Sequence, residues 1–200
     1  MIASRDALAA RVRDAALDAI ERHHIPGISI GVVEGGSLVL CESFGYADIE
    51  SRTPMQPQHR QCIASITKTM VGLCAMALVD EGKLALDARI ADLLPGVRYH
   101  GPAETMTVWN LLTHTAGIGE AQSQELLAAT ISPDADARRK PGTFSSMYAD
   151  GCVVEYEPGT KWHYANHGYN FLGEIISRAE GGTDLHDVMQ RRIFGPLGMA

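Results

Sequence analysis

Apolar positions at the front of the chain recur every four residues. Leu8, Val12, Ala16 and Ile20 fall on one face of a helix running from about Ser4, a plausible N-cap, to His23. Pro26-Gly27 stops it. Two apolar runs follow, Ile28–Val33 and Leu38–Phe44, with Glu34-Gly35-Gly36-Ser37 as the hairpin turn between them. These runs alternate little and are rich in Ile, Val and Leu, which suits the interior of a sheet larger than two strands. The polar stretch Ala47–Arg60 reads as a loop. A helix then opens near Ser65 and runs to Glu81. Met70, Val71, Cys74, Ala75 and Leu78 form a wide apolar face, and Gly82 ends it.

Beyond this point the pattern is helix and loop. Asp87–Leu94 predicts a short helix. Thr107 caps another through Leu112, which Gly117 terminates. Gln122–Thr130 predicts a further helix and Ser132–Gly142 a surface loop. Pro158-Gly159-Thr160 makes a turn. Gly168–Ala179 and Thr183–Ile193 are amphipathic helices separated by Gly181-Gly182. The expected architecture is α/β plus all-helical. Residues 1–64 supply a helix and hairpin, and residues 65–200 supply the helical part.

The chain has 200 residues, 46% hydrophobic and 20% charged, which leaves ample material for a core. A net charge of -7 disfavours nucleic acid or an anionic membrane as partner, because both repel it. The charged N-terminus is not a signal peptide, and no apolar run is long enough to span a bilayer. These features favour a cytoplasmic protein, or a periplasmic or secreted one if a leader has been removed. Cys41, Cys62, Cys74 and Cys152 are scattered, and are expected to be reduced and mostly buried.

Two short constellations carry chemistry. The first is Ser65-Ile66-Thr67-Lys68. A serine hydroxyl is a weak nucleophile without a base in hydrogen-bond reach. Residues three apart share a helix face, so Lys68 returns beside Ser65. Free N–H groups at a helix start can stabilise an oxyanion. Alone the pattern is weak, since Ser-x-x-Lys arises by chance about once in a chain of this size. The second is Tyr164-Ala165-Asn166. A tyrosine beside an ammonium loses its proton more easily and can act as a base. Asn166 offers a donor and an acceptor.

The two together, with their flanks, resemble the serine β-lactamase and penicillin-binding-protein superfamily in its class C-related branch of esterases, D-aminopeptidases and D,D-carboxypeptidases. The resemblance rests on Ile63-Ala-Ser-Ile-Thr-Lys68, on Glu81-Gly-Lys-Leu-Ala-Leu-Asp87 with Leu93-Leu-Pro95, and on Leu111-Leu-Thr-His-Thr-Ala-Gly117, where Ala116 replaces the usual serine. It continues through Pro158-Gly-Thr160, Tyr164-Ala-Asn166, Gly168–Ile176 and Pro196-Leu-Gly-Met199. It implies a β-lactamase/transpeptidase-like fold. It also implies Ser65 as nucleophile, Lys68 and Tyr164 as proton handlers, and Asn166 as a ligand of Lys68 and of the acyl amide. The Ser65 N–H would be one oxyanion donor. No cofactor and no metal are implied.

The family's third motif, Lys/His-Ser/Thr-Gly on a later strand, is absent. The expectation is therefore an incomplete fold whose closing strands lie elsewhere, so that residues 1–200 alone would not make a finished active domain. The resemblance implies a small-molecule ester, amide or β-lactam substrate. The favoured reading is a β-lactamase-related esterase or D-amino-acid peptidase. The alternatives are a non-catalytic fragment or pseudoenzyme, or a true class C β-lactamase. His163 and His167, four apart, are set aside as metal ligands because no Glu follows as in a zincin. His114 is expected to hydrogen-bond near the site rather than act as its base, and Trp162 and Tyr169 to pack beside Tyr164.

Overall fold

The computed structural model describes residues 5–119 and 143–199. The Ser4 cap, the 122–130 helix and the 132–142 loop lie outside them. The chain divides into two compact units, Met1–Cys62 and Ile63–Ala200.

In the first unit, helix α1 spans Arg5–His23. The face carrying Leu8, Val12, Ala16 and Ile20 is the less exposed one, and Ala16 is buried. Strands β1 (Gly27–Glu34) and β2 (Ser37–Asp48) pair antiparallel, with Glu34 opposite Ser37. The connecting Gly35 and Gly36 have φ of 56° and 78°, the type I′ geometry that matches the strand twist and that side chains resist. Part of the expected 47–60 loop is sheet. β2 continues to Asp48, and β3 (Thr53–Pro54) pairs with it, giving the order β1-β2-β3.

In the second unit, helix α2 (Thr67–Asp80) follows a 3-10 turn at Ala64–Ile66. Ser65 therefore sits on that tighter turn, two residues before the α-helix proper. α2 ends where the sequence predicts. The Lys83 N–H bonds Leu78 O at 2.9 Å and the Gly82 N–H bonds Val79 O at 2.9 Å, a Schellman cap. Helix α3 is shorter than expected, Ile90–Leu93. Residues 86–90 spend their backbone groups on the facing chain instead. Trp109 N–H bonds Leu86 O, Val108 N–H bonds Ala88 O, and Ile90 N–H bonds Met106 O. A parallel pair, β4 (Tyr99–His100) and β5 (Cys152–Val153), and a four-residue helix α5 (Phe144–Met147) complete the periphery.

Helix α4 (Val108–Leu112) starts at a capping box between Thr107 and Asn110. Its stop is not Gly117. His114 takes the left-handed position, φ 57°, with its N–H on Leu111 O and the Thr115 N–H on Asn110 O. Gly117 serves another need. At φ 77° a Cβ there would lie 2.0 Å from the Tyr156 carbonyl oxygen. Helix α6 (Asn166–Ala179) begins two residues earlier than predicted. The predicted 183–193 helix divides into α7 (Leu185–Met189), capped by Asp184, and a wider π-helical turn at Gln190–Phe194.

The core of this unit is the contact of α2 and α4 with α6. Val71, Cys74, Ala75 and Leu78 are buried, as are Val108, Leu111, Phe171, Leu172, Ile175 and Ile176. Each Val, Leu, Ile or Phe among them contributes about 1.5–3 kcal/mol by leaving water. Of the cysteines, Cys74 and Cys152 are buried but Cys41 and Cys62 are exposed, and all four are free thiols. No helix among the described residues is long and apolar enough to cross a membrane.

An ion network ties the ends of α2, α6 and the π turn together. Arg192 grips Glu81 with two bonds, at 2.6 and 3.0 Å, and reaches Glu180 at 2.5 Å. Lys83 joins Glu81 at 2.9 Å, and Arg191 also pairs with Glu180. Arg192 first and Lys83 second hold the Glu81 carboxyl down at about 2, and Arg192 lowers Glu180 as well. Both carboxylates are depressed in the fold. Their stabilisation is therefore present above the ordinary value of 4.5 and is lost as pH falls toward 2. The melting temperature is expected to fall across that interval. Arg192→Met should lower it by roughly 5–10 °C near neutral pH and flatten the acid-side decline, which calorimetry at several pH values measures.

Candidate active site

Ser65 stands at the mouth of α2. The residue before it, Ala64, has φ 44°, a strained setting for a residue with a Cβ. The turn that follows, with the Ile66 N–H on Ile63 O at 3.0 Å, leaves the Ser65 side chain exposed. One helical turn later, Lys68 folds back, and its Nζ donates to Ser65 Oγ at 3.2 Å. The same Nζ donates to Asn166 Oδ1 at 2.7 Å, across to the first residue of α6.

Tyr164 lies on no helix. Its segment runs antiparallel along residues 114–118. Val154 bridges Ile118, and the Glu155 N–H bonds Gly117 O at 2.8 Å. The Gly159 N–H bonds Thr115 O at 2.8 Å and the His163 N–H bonds His114 O at 2.8 Å. The turn at Glu157-Pro158-Gly159-Thr160, closed at 3.2 Å, lies between these contacts. So placed, Tyr164 Oη donates to Ser65 Oγ at 2.6 Å.

The structure thus brings Ser65, Lys68, Tyr164 and Asn166 into one hydrogen-bonded chain. Lys68 Nζ lies 4.9 Å from the centre of the Tyr164 ring and 5.7 Å from that of Tyr169. Partial burial pushes the Tyr164 phenol up. The bonds to Lys68 and Ser65, with the Lys68 charge, outweigh it, and the net shift is downward. Burial first and Lys68 second lower His114.

His114 is the centre of the aromatic surroundings. Its ring lies 4.5 Å from Tyr164, 5.2 Å from Tyr169 and 6.2 Å from Trp162. The expectation that Trp162 and Tyr169 pack beside Tyr164 is thus refined: both pack around His114. His167 is buried, and its Nδ1 bonds Tyr148 Oη at 2.7 Å. Asn170 donates to that same Tyr148 oxygen at 3.2 Å. Sequence reasoning missed this buried Tyr148-His167-Asn170 group, because nothing in the pattern near 148 marks it. A cleft of about 470 Å³ opens beside the site, with Ala64, Lys68 and Asn166 at one end and Phe144, Met147 and Leu185 among its apolar walls.

Comparison with known proteins completes the picture. A D-aminopeptidase from Cereibacter sphaeroides is 33% identical over 193 residues, 93% of this chain and 34% of its own length. The chain spans about a third of the length of the curated relatives it matches. Among solved structures, the octameric penicillin-binding protein homologue from Pyrococcus abyssi superposes with a TM-score of 0.78 at 28% identity, covering 96% of this chain and 43% of that one. A D-amino acid amidase from Ochrobactrum anthropi SV3 superposes with a TM-score of 0.74 at 29% identity, covering 92% and 48%. The fold is accordingly the β-lactamase/transpeptidase-like one, matched over part of each neighbour. Residues 7–200 match the family described as Beta-lactamase, and with nearly the whole chain inside that match this protein belongs to the Beta-lactamase family.

Proposed function

We propose that the protein is a serine hydrolase that works through an acyl-enzyme on Ser65. The observation that carries this reading is the convergence of Tyr164 Oη and Lys68 Nζ on one serine oxygen, at 2.6 and 3.2 Å. In the first step Ser65 Oγ bonds to the substrate carbonyl carbon. The serine proton passes to the Lys68–Tyr164 pair, one member of which has already lost its own proton, and from there to the departing amine or alkoxide as its bond to the acyl carbon breaks. Water then attacks the acyl-enzyme, gives its proton to the same pair, and releases the acid with Ser65 restored. Asn166 holds the Lys68 ammonium and faces the acyl amide, and the Ser65 N–H, at the start of α2, is one oxyanion donor.

The substrate class is an ester or an amide of a D-amino acid. A D-aminopeptidase relative and a D-amino acid amidase neighbour support the amide. The cleft beside Lys68 is the space assigned to the acyl half. The test is turnover of a chromogenic short-chain ester, a D-amino acid anilide and a chromogenic cephalosporin by the purified protein and its Ser65→Ala variant.

Ser65→Ala is expected to cut the preferred turnover by at least about 10⁴-fold with the melting curve unchanged. A fluorophosphonate should label the peptide that holds Ser65. Labelling at another serine, or activity surviving in the variant, overturns the assignment.

A second outcome concerns the proton handlers. If Lys68 and Tyr164 act as one unit, Lys68→Ala, Tyr164→Phe and the double variant should lose similar amounts of kcat. A double-mutant cycle measures this. Strictly additive losses would show two independent roles.

A further inference from the structure

His114 meets the Tyr164 segment at three points. Its carbonyl oxygen accepts the His163 N–H at 2.8 Å. Its ring Nδ1 accepts the Ala165 N–H at 3.3 Å. Its ring face lies 4.5 Å from the Tyr164 ring, tilted by 34°. The residues on either side of Tyr164 and the phenol itself are therefore all set by one residue. That residue is itself held in the left-handed conformation at the end of α4, an arrangement retained only where the surroundings over-determine it.

The bond from Ala165 decides the protonation state. Nδ1 is an acceptor there, so it carries no proton, and the neutral ring keeps its hydrogen on Nε2. A proton added at Nδ1 would set two donors against each other at 3.3 Å. It would also place a second cation near the Lys68 ammonium. The titratable groups facing the imidazole are Lys68 from α2, Tyr164 from the loop and Tyr169 from α6. While the phenols are protonated each is neutral or positive, and in that state none of them rewards an imidazolium. Burial works in the same direction.

We propose that His114 is a positioning residue that fixes the Tyr164 phenol against Ser65 only while its imidazole is neutral, so that its protonation sets the acidic limit of activity. The role rests on the reading of Tyr164 as a proton handler. When His114 binds a proton, the Ala165 contact is lost, the loop slackens, and the 2.6 Å bond from Tyr164 to Ser65 is released.

The experiment is a pH–rate profile of the protein and two variants, His114→Ala and His114→Asn. Alanine removes ring and acceptor. Asparagine tolerates the left-handed conformation and keeps a carbonyl that accepts from Ala165 but does not titrate. His114→Ala is expected to lose roughly 10²-fold in kcat with KM within about threefold, because a proton handler is displaced and no substrate contact is removed. His114→Asn should recover at least about tenfold of that loss and remain active at pH values where the parent has faded. An acidic limb in His114→Asn at the same pH as in the parent overturns the proposal, as does His114→Ala turning over within twofold of the parent. If His114→Ala melts before assay, the position of the acidic limb in His114→Asn decides alone. Failure of the Ser65 assignment shows itself separately, as activity that survives in the Ser65→Ala variant.

Discussion

The second unit depends on the burial of α2 against α6. Val71, Cys74, Ala75 and Leu78 share one buried apolar cluster with Phe171, Leu172, Ile175 and Ile176. Ser65 and Lys68 precede the first of these residues by two turns or less, and Asn166 opens the opposing helix. Fixing the helix pair therefore fixes the 2.7 Å bond from Lys68 to Asn166. The reverse does not hold. A hydrogen bond from a charged donor is worth only about 1.5–3 kcal/mol net and could not hold two helices together. The interface of several large apolar side chains can. The polar site is in this sense a passenger on the apolar one, and the ion network at the far ends of the same helices guards their register.

Tyr164 obeys a different rule. No helix carries it, so its place follows from backbone pairing between residues 154–163 and 114–118. Such pairing demands conformations that side chains resist. Gly117 meets one demand without cost. His114 meets another at φ 57°, and Ala64, beside Ser65, sits at φ 44°. Strain of order 1–3 kcal/mol at each is offset by the surrounding contacts. One of these strained residues adjoins Ser65 and the other stacks on Tyr164. Rigidity there has been obtained against local preference.

This contrast explains what was legible in the sequence. Helical periodicity of 3.6 exposed α1, α2 and α6, since those helices exist to bury one face. The Gly35-Gly36 turn and the Thr107 cap were legible because their chemistry is local. The site quartet was legible through motif resemblance, and its spacing on α2 followed from helix geometry. Three features escaped. α3 lost its first turn because residues 86–90 bond to 106–109, a pairing no window of neighbours reveals. Gly117 looked like a helix stop, yet its conformation answers the Tyr156 carbonyl far along the chain. His114 was expected to hydrogen-bond near the site, and it does, but its partners were not legible. Ala165 and His163, which it contacts, lie some fifty residues on. Local rules fail in each case where a distant backbone makes the decision.

Electrostatics adds the last step. The hydrogen bonds of Lys68 go to two neutral oxygens, of Ser65 and Asn166. A carboxylate in that place would bind the ammonium more tightly, but it would also cancel its field. Neutral acceptors hold the charge and leave its field acting on the neighbours. The two rings stacked beside it respond in the same sense. The Tyr164 phenol shifts toward phenolate and the His114 imidazole toward its neutral form. One needs an uncompensated cation to ease loss of its proton. The other needs the same cation to keep a proton away from Nδ1, where Ala165 must donate. On the proposed roles, a single lysine prepares both the group that would move the proton and the residue that would hold it in place. Replacing Asn166 by a carboxylate would weaken both effects at once, which is a physical reason for an amide at this position.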